Sequence, residues 1–315
     1  MYSYENYDKV KNEIEKRRMR AISEADTRSE YLREISPEIK DIDDELSQTG
    51  LLLFKTACSG GEISPIRKRN VELLSRRREI IKSLGYPEDH TDVHYSCKDC
   101  SDTGFINGTK MCHCFREALI KETIASSGIG DLIDKQTFDN FDLEWYKDDN
   151  DAYEAMRANL AAARSYVSSF AKKRANLLLI GKTGTGKTHI STAIAREVIS
   201  LGFDVVYDSA QNIISDFESD KFRSGYGTEQ RSAKYLECDL LIIDDLGTEF
   251  QSSFTVSCLY NLINTRHNRG LATIISTNLS PDELVKKYED RIYSRLVGHG
   301  THVLLFRGKD KRIFG

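Results

Sequence analysis

A run of eight residues from Gly181 to Thr188, Gly-Lys-Thr-Gly-Thr-Gly-Lys-Thr, has the spacing of a phosphate-binding loop, or P-loop. An apolar run from Asn176 to Ile180 leads into it and a helical pattern follows, as a phosphate cradle at a helix N-terminus requires. Glycines let backbone N–H groups point at phosphate oxygens, so we expect nucleotide contacts from Gly181, Thr183, Gly184, Thr185 and Gly186. Lys187 should reach the outer phosphates, and the Thr188 hydroxyl should ligate Mg²⁺. The sequence therefore predicts a site for ATP or ADP with magnesium.

Polar residues end two further apolar runs. Asp244 and Asp245 follow the run Leu240 to Ile243, and an acid at the end of a parallel strand lies beside the P-loop. We expect Asp244 to hold magnesium through water and Asp245 to polarise the attacking water. Asn278 ends the next run and is predicted to contact the γ-phosphate or that water. The simpler interpretation of Asn278 is a cap for the turn before the next helix.

Several arginines and lysines are candidates for contacts with phosphate. Arg291 and Arg295 stand four residues apart on one predicted helical face, and Arg312 lies in the C-terminal tail. Taken alone, surface arginines are usually solvated charges. The basic candidates for DNA contact, each more simply explained as part of a solvated face, are Lys172, Lys173, Arg174, Arg266 and Arg269.

Four of the seven cysteines lie between Cys97 and Cys114, as Cys-x-x-Cys followed by Cys-His-Cys. An Asn107-Gly108 turn signal separates the two pairs, so they should face each other across a β-hairpin. This spacing predicts a closed structural zinc site formed by Cys97, Cys100, Cys112 and Cys114. His113 is a possible substitute for one thiolate, and free buried thiols are the alternative interpretation. Cys58, Cys238 and Cys258 are expected to be ordinary small side chains.

The first 90 residues are polar and helical in pattern. Apolar residues recur every three or four positions from Leu32 to Leu46, which predicts a narrow coiled-coil-like seam. Ser36-Pro37 and Ser64-Pro65 indicate helix starts with a serine cap, and Gly85 indicates the end of the third helix. This arm is either a solvated helical hairpin or a docking surface for the helices of a partner.

Short apolar runs alternate with helical patterns from Asn176 onward. This alternation predicts an α/β fold with a parallel five-stranded sheet covered on both faces. The predicted strands are Leu177 to Ile180, Phe203 to Tyr207, Leu240 to Ile243, Ala272 to Ser276 and His302 to Phe306. The domains we expect are a helical arm over 1–90, a zinc-binding module over 91–118, a linker with an aromatic segment over 119–145 and an ATPase domain over 146–315.

Composition excludes some functions. The 315 residues are 30% charged and carry a net charge of −4, which gives no general attraction to nucleic acid. No apolar stretch approaches the roughly 20 residues of a membrane-spanning helix, and the N-terminus has no export signal. We therefore expect a cytoplasmic protein that does not act at a membrane.

The order of these motifs resembles the AAA+ ATPases. More narrowly, it resembles the bacterial helicase loaders of the DnaC/DnaI type and their transposition-helper relatives. The segment from Gln136 to Phe141 looks like the aromatic segment these loaders carry before the ATPase core, lining the adenine pocket or filling the core. The stretch from Gly85 to Cys97 looks like the clostridial and phage versions.

The resemblance implies roles for the arginines. Arg295 would be the arginine finger supplied to ATP bound by a neighbouring subunit, with Arg291 as the alternative candidate. Arg312 would be the second sensor, which reads the γ-phosphate in its own subunit. ATP turnover would therefore be slow in an isolated subunit and would depend on self-assembly. Many members of the class have Glu where this chain has Asp245, whose shorter reach also predicts slow hydrolysis.

The function implied by the resemblance is that of an ATP-dependent loader. Such a protein binds a hexameric replicative DNA helicase and places it on single-stranded DNA. One alternative is an IstB-like transposition helper that delivers a transposase to target DNA, and another is a scaffold that holds nucleotide without useful turnover. The zinc module and long arm favour the loader over the helper, and the intact set of Lys187, Asp244 and Arg295 argues against the scaffold.

Overall fold

The structure is a computed structural model that describes residues 2–222, 230–298 and 300–310, with only the backbone of Glu289. The chain forms two compact units. One, here called the helical unit, is Lys9–Arg116, and the other, the α/β unit, joins Met1–Asp8 to the chain from Glu117 onward. No helix among the described residues is long and apolar enough to span a membrane.

Three helices account for most of the helical unit: α1 (Tyr4–Ile35), α2 (Pro37–Cys58) and α3 (Ser64–Ser83). Ser36 caps α2 by accepting a hydrogen bond from the backbone N–H of Ile39, and Pro37 occupies the first turn, as predicted. The predicted serine cap of α3 is wrong, because Ser64 lies inside the helix and the N-cap residue is Ile63. Most of the predicted seam is buried, but Ile35 is 44% exposed. The core is formed by Leu32, Ile39, Ile42, Leu73, Ile80 and Ile81.

A small hairpin follows in the same unit. Strands β1 (Phe105–Ile106) and β2 (Lys110–Met111) pair antiparallel, and helix α4 (His113–Ser126) begins directly after them. The turn is built by Asn107 and Gly108, with φ angles of +52° and +73°. Two successive left-handed residues are typical of a tight hairpin turn, so the Asn-Gly signal located it correctly.

The α/β unit alternates strands and helices. Before the sheet come α5 (Leu132–Lys135), a short 3₁₀ helix (Leu143–Tyr146) and α6 (Asn150–Ser169). The sheet region then comprises β3 (Asn176–Gly181), α7 (Lys187–Ser200), β4 (Val205–Ser209), α8 (Ala210–Phe222), α9 (Ala233–Glu237), β5 (Leu240–Leu246), α10 (Ser253–Asn268), β6 (Ala272–Thr277), α11 (Pro281–Leu296) and β7 (Thr301–Phe306). All neighbouring strands are parallel, in the order β4-β5-β6-β3-β7. The predicted fold class is therefore confirmed.

The strands β3 to β6 are buried on both faces, whereas the edge strand β7 exposes Val303 and Leu305. Alternate residues along β3 illustrate the arrangement: Leu177 and Leu179 join one core, whereas Leu178 and Ile180 join the other. The first core includes residues of α6 and α7, and the second includes residues of α8, α10 and α11. Helices on both faces explain why the strands are continuously apolar rather than alternating with polar residues.

The prediction that Arg266 belongs to a solvated face is wrong. Its side chain is fully buried in α10, where Nη1 donates to the carbonyl oxygens of Tyr235 and Cys238 and Nη2 donates to that of Ala272. Burial lowers the pKa of Arg266 from its usual value. Arg174 also departs from that expectation, because it is half-buried and its guanidinium lies 2.9 Å from a carboxylate oxygen of Asp239.

Candidate nucleotide site and metal centre

The P-loop joins the end of β3 to the start of α7. Gly184 and Gly186 have φ angles of +72° and +97°, which residues with a side chain rarely adopt. A Cβ atom on Gly181 would lie 2.4 Å from the carbonyl oxygen of Phe306, so the backbone itself leaves no room there. The hydroxyl of Tyr146 donates to the carbonyl oxygen of Thr185 at 2.9 Å and holds the loop from outside. The loop conformation is therefore fixed by contacts within the unit.

Lys187 and Asn278 meet at this loop. The Lys187 ammonium donates to the carbonyl oxygens of Gly181 and Lys182, at 2.7 and 3.0 Å, and to Oδ1 of Asn278 at 2.6 Å. The turn after Asn278 is capped instead by Ser280, whose hydroxyl accepts a hydrogen bond from Glu283 N–H. The amide of Asn278 is thus directed at Lys187.

Asp244 is held by three hydroxyl groups. The Thr188 hydroxyl lies 3.3 Å from Oδ2 of Asp244, the Tyr207 hydroxyl donates to the same oxygen, and the Ser276 hydroxyl donates to Oδ1. Burial and, after it, the charge of Asp244 raise the pKa of Tyr207, so this phenol stays a neutral donor. Sequence reasoning paired Thr188 with Asp244 but missed Tyr207 and Ser276, although both lie in strands it had predicted.

Asp245 has an unusual backbone. Its φ angle is +52°, and the pairing of β5 with β6 shifts register between Ile243 and Leu246. The Asp245 N–H donates to the Ser276 hydroxyl at 3.0 Å, which supports this conformation. A left-handed conformation outside glycine costs about 1 kcal/mol or more and is concentrated at functional sites. Here it leaves the Asp245 side chain exposed and lining the nucleotide cleft.

One cleft of about 300 Å³ brings most of the predicted residues together. It is lined by Thr183, Gly184, Gly186, Lys187, Thr188 and His189 of the P-loop and α7, and by Asp245, Asn278 and Gln136. Beneath it, the ring of Phe141 packs edge-on against His189, with centroids 5.0 Å apart. Phe138 and Phe141 are both buried in the core, so the aromatic segment packs in the core directly beside the P-loop.

The arginines occupy other positions. Arg295 is half-buried, with Nε donating to Oδ1 of Asn264 at 2.9 Å and its guanidinium 4.5 Å from the ring centroid of Tyr260. Arg291 is exposed and lines a second cavity, of about 660 Å³, with Tyr260 and other residues of α10 and α11. Within the described part of the chain, neither arginine lines the P-loop cleft. Arg312 lies outside the described residues.

The sulfur atoms of Cys97, Cys100, Cys112 and Cys114 lie within 4.8 Å of one another. The Cys97–Cys112 and Cys100–Cys114 pairs are 3.7 and 3.5 Å apart. Tetrahedral zinc with bonds of about 2.3 Å to sulfur requires sulfur–sulfur distances of about 3.8 Å, so the cluster fits zinc. His113 Nε2 lies 3.8 Å from the Cys97 sulfur and 3.3 Å from an Asp99 oxygen, and the His113 side chain is 56% exposed, outside this group.

Hydrogen bonds within the cluster favour one thiolate. Burial raises the pKa of Cys100, but hydrogen bonds from Gly104 N–H and from the other three cysteines outweigh it and lower the pKa to about 7. Burial raises the pKa of Cys114. Four thiolates this close would repel one another, and a dication bound between them would neutralise that repulsion.

Asp102 organises the cysteine cluster and was missed by sequence reasoning. It is fully buried, and its carboxylate accepts hydrogen bonds from the backbone N–H groups of Ser96 and Cys97 at 2.8 and 2.9 Å. Arg17 of α1 donates to the same carboxylate at 2.7 Å. Outer partners of this kind orient metal ligands. The long helix and the cysteine hairpin are thus joined by an ion pair whose carboxylate is buried.

These features define the class of the protein. A parallel sheet carries the P-loop at the end of β3, the polar residue Asn278 directly after the adjacent β6 and an acid pair on β5 beyond it. This arrangement is that of a P-loop nucleotide-binding protein of the AAA+ type. The chain belongs to the family of IstB-like ATP binding proteins, whose model matches residues 128–313.

Comparison with known proteins confirms the predicted resemblance. The chain is 28% identical to the replicative helicase loader DnaC of Escherichia coli K12 over 181 residues, 58% of this chain and 71% of that protein. It is 23% identical to DnaC of Buchnera aphidicola subsp. Baizongia pistaciae over 230 residues, 73% of this chain and 90% of that protein. A crystal structure of the DnaC helicase loader matches 56% of this chain and 100% of its own, at 20% identity and a TM-score of 0.49.

Proposed function

We propose that this protein is an ATP-dependent loader that binds a hexameric replicative DNA helicase and places it on single-stranded DNA in the cytoplasm. The observation that carries the proposal is the similarity to proteins named replicative helicase loaders, which for the Buchnera relative extends over 73% of this chain. The nucleotide site supports it, because Lys187 already contacts Asn278 and Thr188 already contacts Asp244.

Nucleotide binding would change the contacts of Lys187. Its ammonium is held by two carbonyl oxygens and by Asn278. A β- or γ-phosphate offers this cation a charged acceptor, which forms a stronger hydrogen bond than a neutral amide does. Lys187 would then turn to the phosphates and free Asn278 to contact the γ-phosphate or the attacking water. Asn278 would thereby report whether the γ-phosphate is present.

Asp244 and Asp245 have different roles in the proposed mechanism. Thr188 and Asp244 would hold Mg²⁺, which neutralises charge on the phosphates. Asp244 is kept in position by Tyr207 and Ser276, so its carboxylate needs little rearrangement. Asp245, on its left-handed backbone, would polarise the attacking water. Its short side chain predicts slow turnover, which suits a nucleotide used as a timing switch.

Self-assembly would complete the site. Arg295 is our candidate for the finger given to the ATP of a neighbouring subunit, worth about three to five orders of magnitude in turnover, and exposed Arg291 is the alternative. A mixing experiment tests this. Lys187→Ala and Arg295→Ala should each be inactive alone, whereas their mixture should regain turnover because intact P-loops receive intact arginines. If turnover recovered when Lys187→Ala was mixed with Arg291→Ala but not with Arg295→Ala, Arg291 would be the finger instead.

The helical unit is the proposed helicase-binding part. Near the end of α2, the apolar side chains of Leu51, Leu52 and Phe54 are 66%, 51% and 70% exposed. Exposed apolar residues clustered on one element mark a site of protein contact. In this proposal 1–90 forms the docking arm, the zinc module of 91–118 fixes its base, and 119–145 links it to the ATPase domain of 146–315.

Retention of purified replicative helicase on circular single-stranded DNA tests the loader function directly. The full chain with ATP should increase it, Lys187→Ala should not, and Phe54→Asp should fail although its ATP turnover is normal. Phe222→Asp, at a phenylalanine 82% exposed on α8, is the matched control. Absence of any helicase complex with the wild-type chain would refute the proposal.

The alternative is a transposition helper, favoured by the IstB-like family that the chain belongs to. It shares the ATPase chemistry and differs in the partner. ATP-dependent delivery of a transposase to target DNA, without helicase binding, would establish the helper instead. A chain that bound nucleotide and showed no turnover after assembly with either partner would be a scaffold.

A further inference from the structure

Gln136 carries a buried polar atom that the nucleotide chemistry described above does not use. The side chain lines the same cleft as the P-loop. Its Oε1 atom is buried and has no hydrogen-bond partner among the described residues. Unsatisfied buried polar atoms are rare in native proteins, and a bound ligand is one of the few explanations for them. Gln136 therefore lines the cleft while its side chain carries an acceptor that lacks a donor.

The backbone around Gln136 is fixed from both sides. On one side, the side-chain amide of Asn140 donates to the carbonyl oxygen of Lys135 at 2.7 Å. On the other, Thr137 N–H donates to Oδ1 of Asn140 at 2.8 Å, and the Thr137 carbonyl oxygen lies 2.8 Å from Nε2 of His189. The last contact ties the segment to the first turn of α7. The loop that carries Gln136 is thus held in place by hydrogen bonds on both sides of this residue.

The loop that carries Gln136 contacts α7 at His189. Lys187 and His189 are two residues apart on α7, so their side chains project about 200° apart around the helix. Lys187 contacts Asn278, whereas His189 contacts Thr137, the neighbour of Gln136. Lys187 is the residue expected to bind the outer phosphates. The face of α7 that carries His189, next to Gln136, therefore remains for the base.

We propose that Gln136 selects adenine over other purines through its side-chain amide. The inference rests on the proposed function and names how its nucleotide is recognised. Adenine presents an exocyclic amine as donor to Oε1 and a ring nitrogen as acceptor for the Nε2–H of the same amide, the pairing that glutamine makes with adenine in DNA. Guanine has a carbonyl oxygen in place of the amine, and its N7 and O6 are both acceptors, so one of the two bonds is lost.

Competition for bound fluorescent ADP, in the full chain with Mg²⁺, measures this selection. The competitors are ATP, GTP and purine riboside triphosphate, which lacks only the 6-amino group. Wild-type protein should bind ATP roughly fivefold to tenfold more tightly than purine riboside triphosphate, the effect of one hydrogen bond. Gln136→Met should bind the two equally, and Gln136→Glu, which keeps the acceptor, should retain the preference. Gln211→Met, at an exposed glutamine of α8, should behave as wild type.

Two results would overturn the role of Gln136. One is equal affinity of the wild-type chain for ATP and purine riboside triphosphate, a measurement that requires no variant. The other is an undiminished preference in Gln136→Met. A wild-type chain that bound no nucleotide at all would remove the proposed function as well, so the two failures are distinguishable.

Discussion

Replacing Arg266 with methionine should destabilise the α/β unit because this arginine is a structural donor. The change would remove the guanidinium that serves three carbonyl oxygens and the hydroxyl of Thr273, which Nε reaches at 3.1 Å. Each unsatisfied buried acceptor costs about 1 to 3 kcal/mol, and removal of the buried charge offsets part of the sum. Methionine fills most of the volume, so no large cavity adds to the cost. We expect a loss of about 3 to 4 kcal/mol in unfolding free energy, or about 10 °C in Tm.

The assay is urea unfolding, monitored through the fluorescence of Trp145. This residue is the single tryptophan of the sequence and belongs to the α/β unit. Arg269→Met is the matched control: Arg269 follows α10 directly, is exposed, and should change stability by less than about 0.5 kcal/mol. Single-stranded DNA binding should be tested on both variants below their midpoints. Equal midpoints for the two variants, or weakened DNA binding by folded Arg266→Met, would refute the structural assignment.

Three further predictions concern the zinc, magnesium and pH dependence. Purified protein should contain one zinc per chain by mass spectrometry, and Cys112→Ser should lose it while still binding ATP, since the cluster and the P-loop belong to different units; retention of zinc would contradict the four-sulfur site. Tyr207→Phe removes one hydrogen-bond donor to Asp244, so it should raise the Mg²⁺ concentration for half-maximal ATP turnover about fivefold. Its nucleotide affinity in EDTA should be unchanged, and an unchanged Mg²⁺ requirement would count against positioning of Asp244 by Tyr207. Burial and then the charge of Asp239 raise the pKa of Asp204 to about 6. The protonated carboxyl therefore contributes folding stability that is present below about pH 4 and lost as pH rises through 6. Asp204→Asn should therefore gain roughly 2 to 3 kcal/mol relative to wild type between pH 4 and pH 8, measured by thermal unfolding, and a constant difference across this range would exclude the effect.

The features that sequence located well are those in which local pattern and chemistry coincide. The apolar run before Gly181 becomes β3, and the P-loop follows it because its glycines adopt φ angles and close approaches that residues with a side chain rarely tolerate. Asn107-Gly108 marks the hairpin because its turn requires two left-handed residues. The helix start at Ser36-Pro37 is equally local. At these positions a few neighbouring residues decide the conformation.

The features that sequence missed depend on partners distant along the chain. Nothing near Arg266 indicates that carbonyl oxygens of Tyr235 and Cys238 will surround it, so a basic residue at the end of a helix suggested solvent. Asp102 owes its role to Arg17, which lies 85 residues away. Strand order was equally hidden, because an apolar run indicates a buried strand and not its neighbours. The order is nevertheless what brings the acid pair close to the P-loop.

Strand β6 shows what that order achieves, because it lies between β3, which carries the P-loop, and β5, which carries the acids. Residues at its end and just after it contact both neighbouring strands' sites. Ser276 binds the Asp244 carboxylate and the N–H of Asp245, and Asn278, which follows the strand, binds Lys187. Thr277 between them donates to the carbonyl oxygen of Leu246. A phosphate that displaces Asn278 from Lys187 therefore acts on a segment that also holds both acids. In the proposed mechanism, sensing of the γ-phosphate by Asn278 and placement of Asp245 would therefore be joined through three consecutive residues.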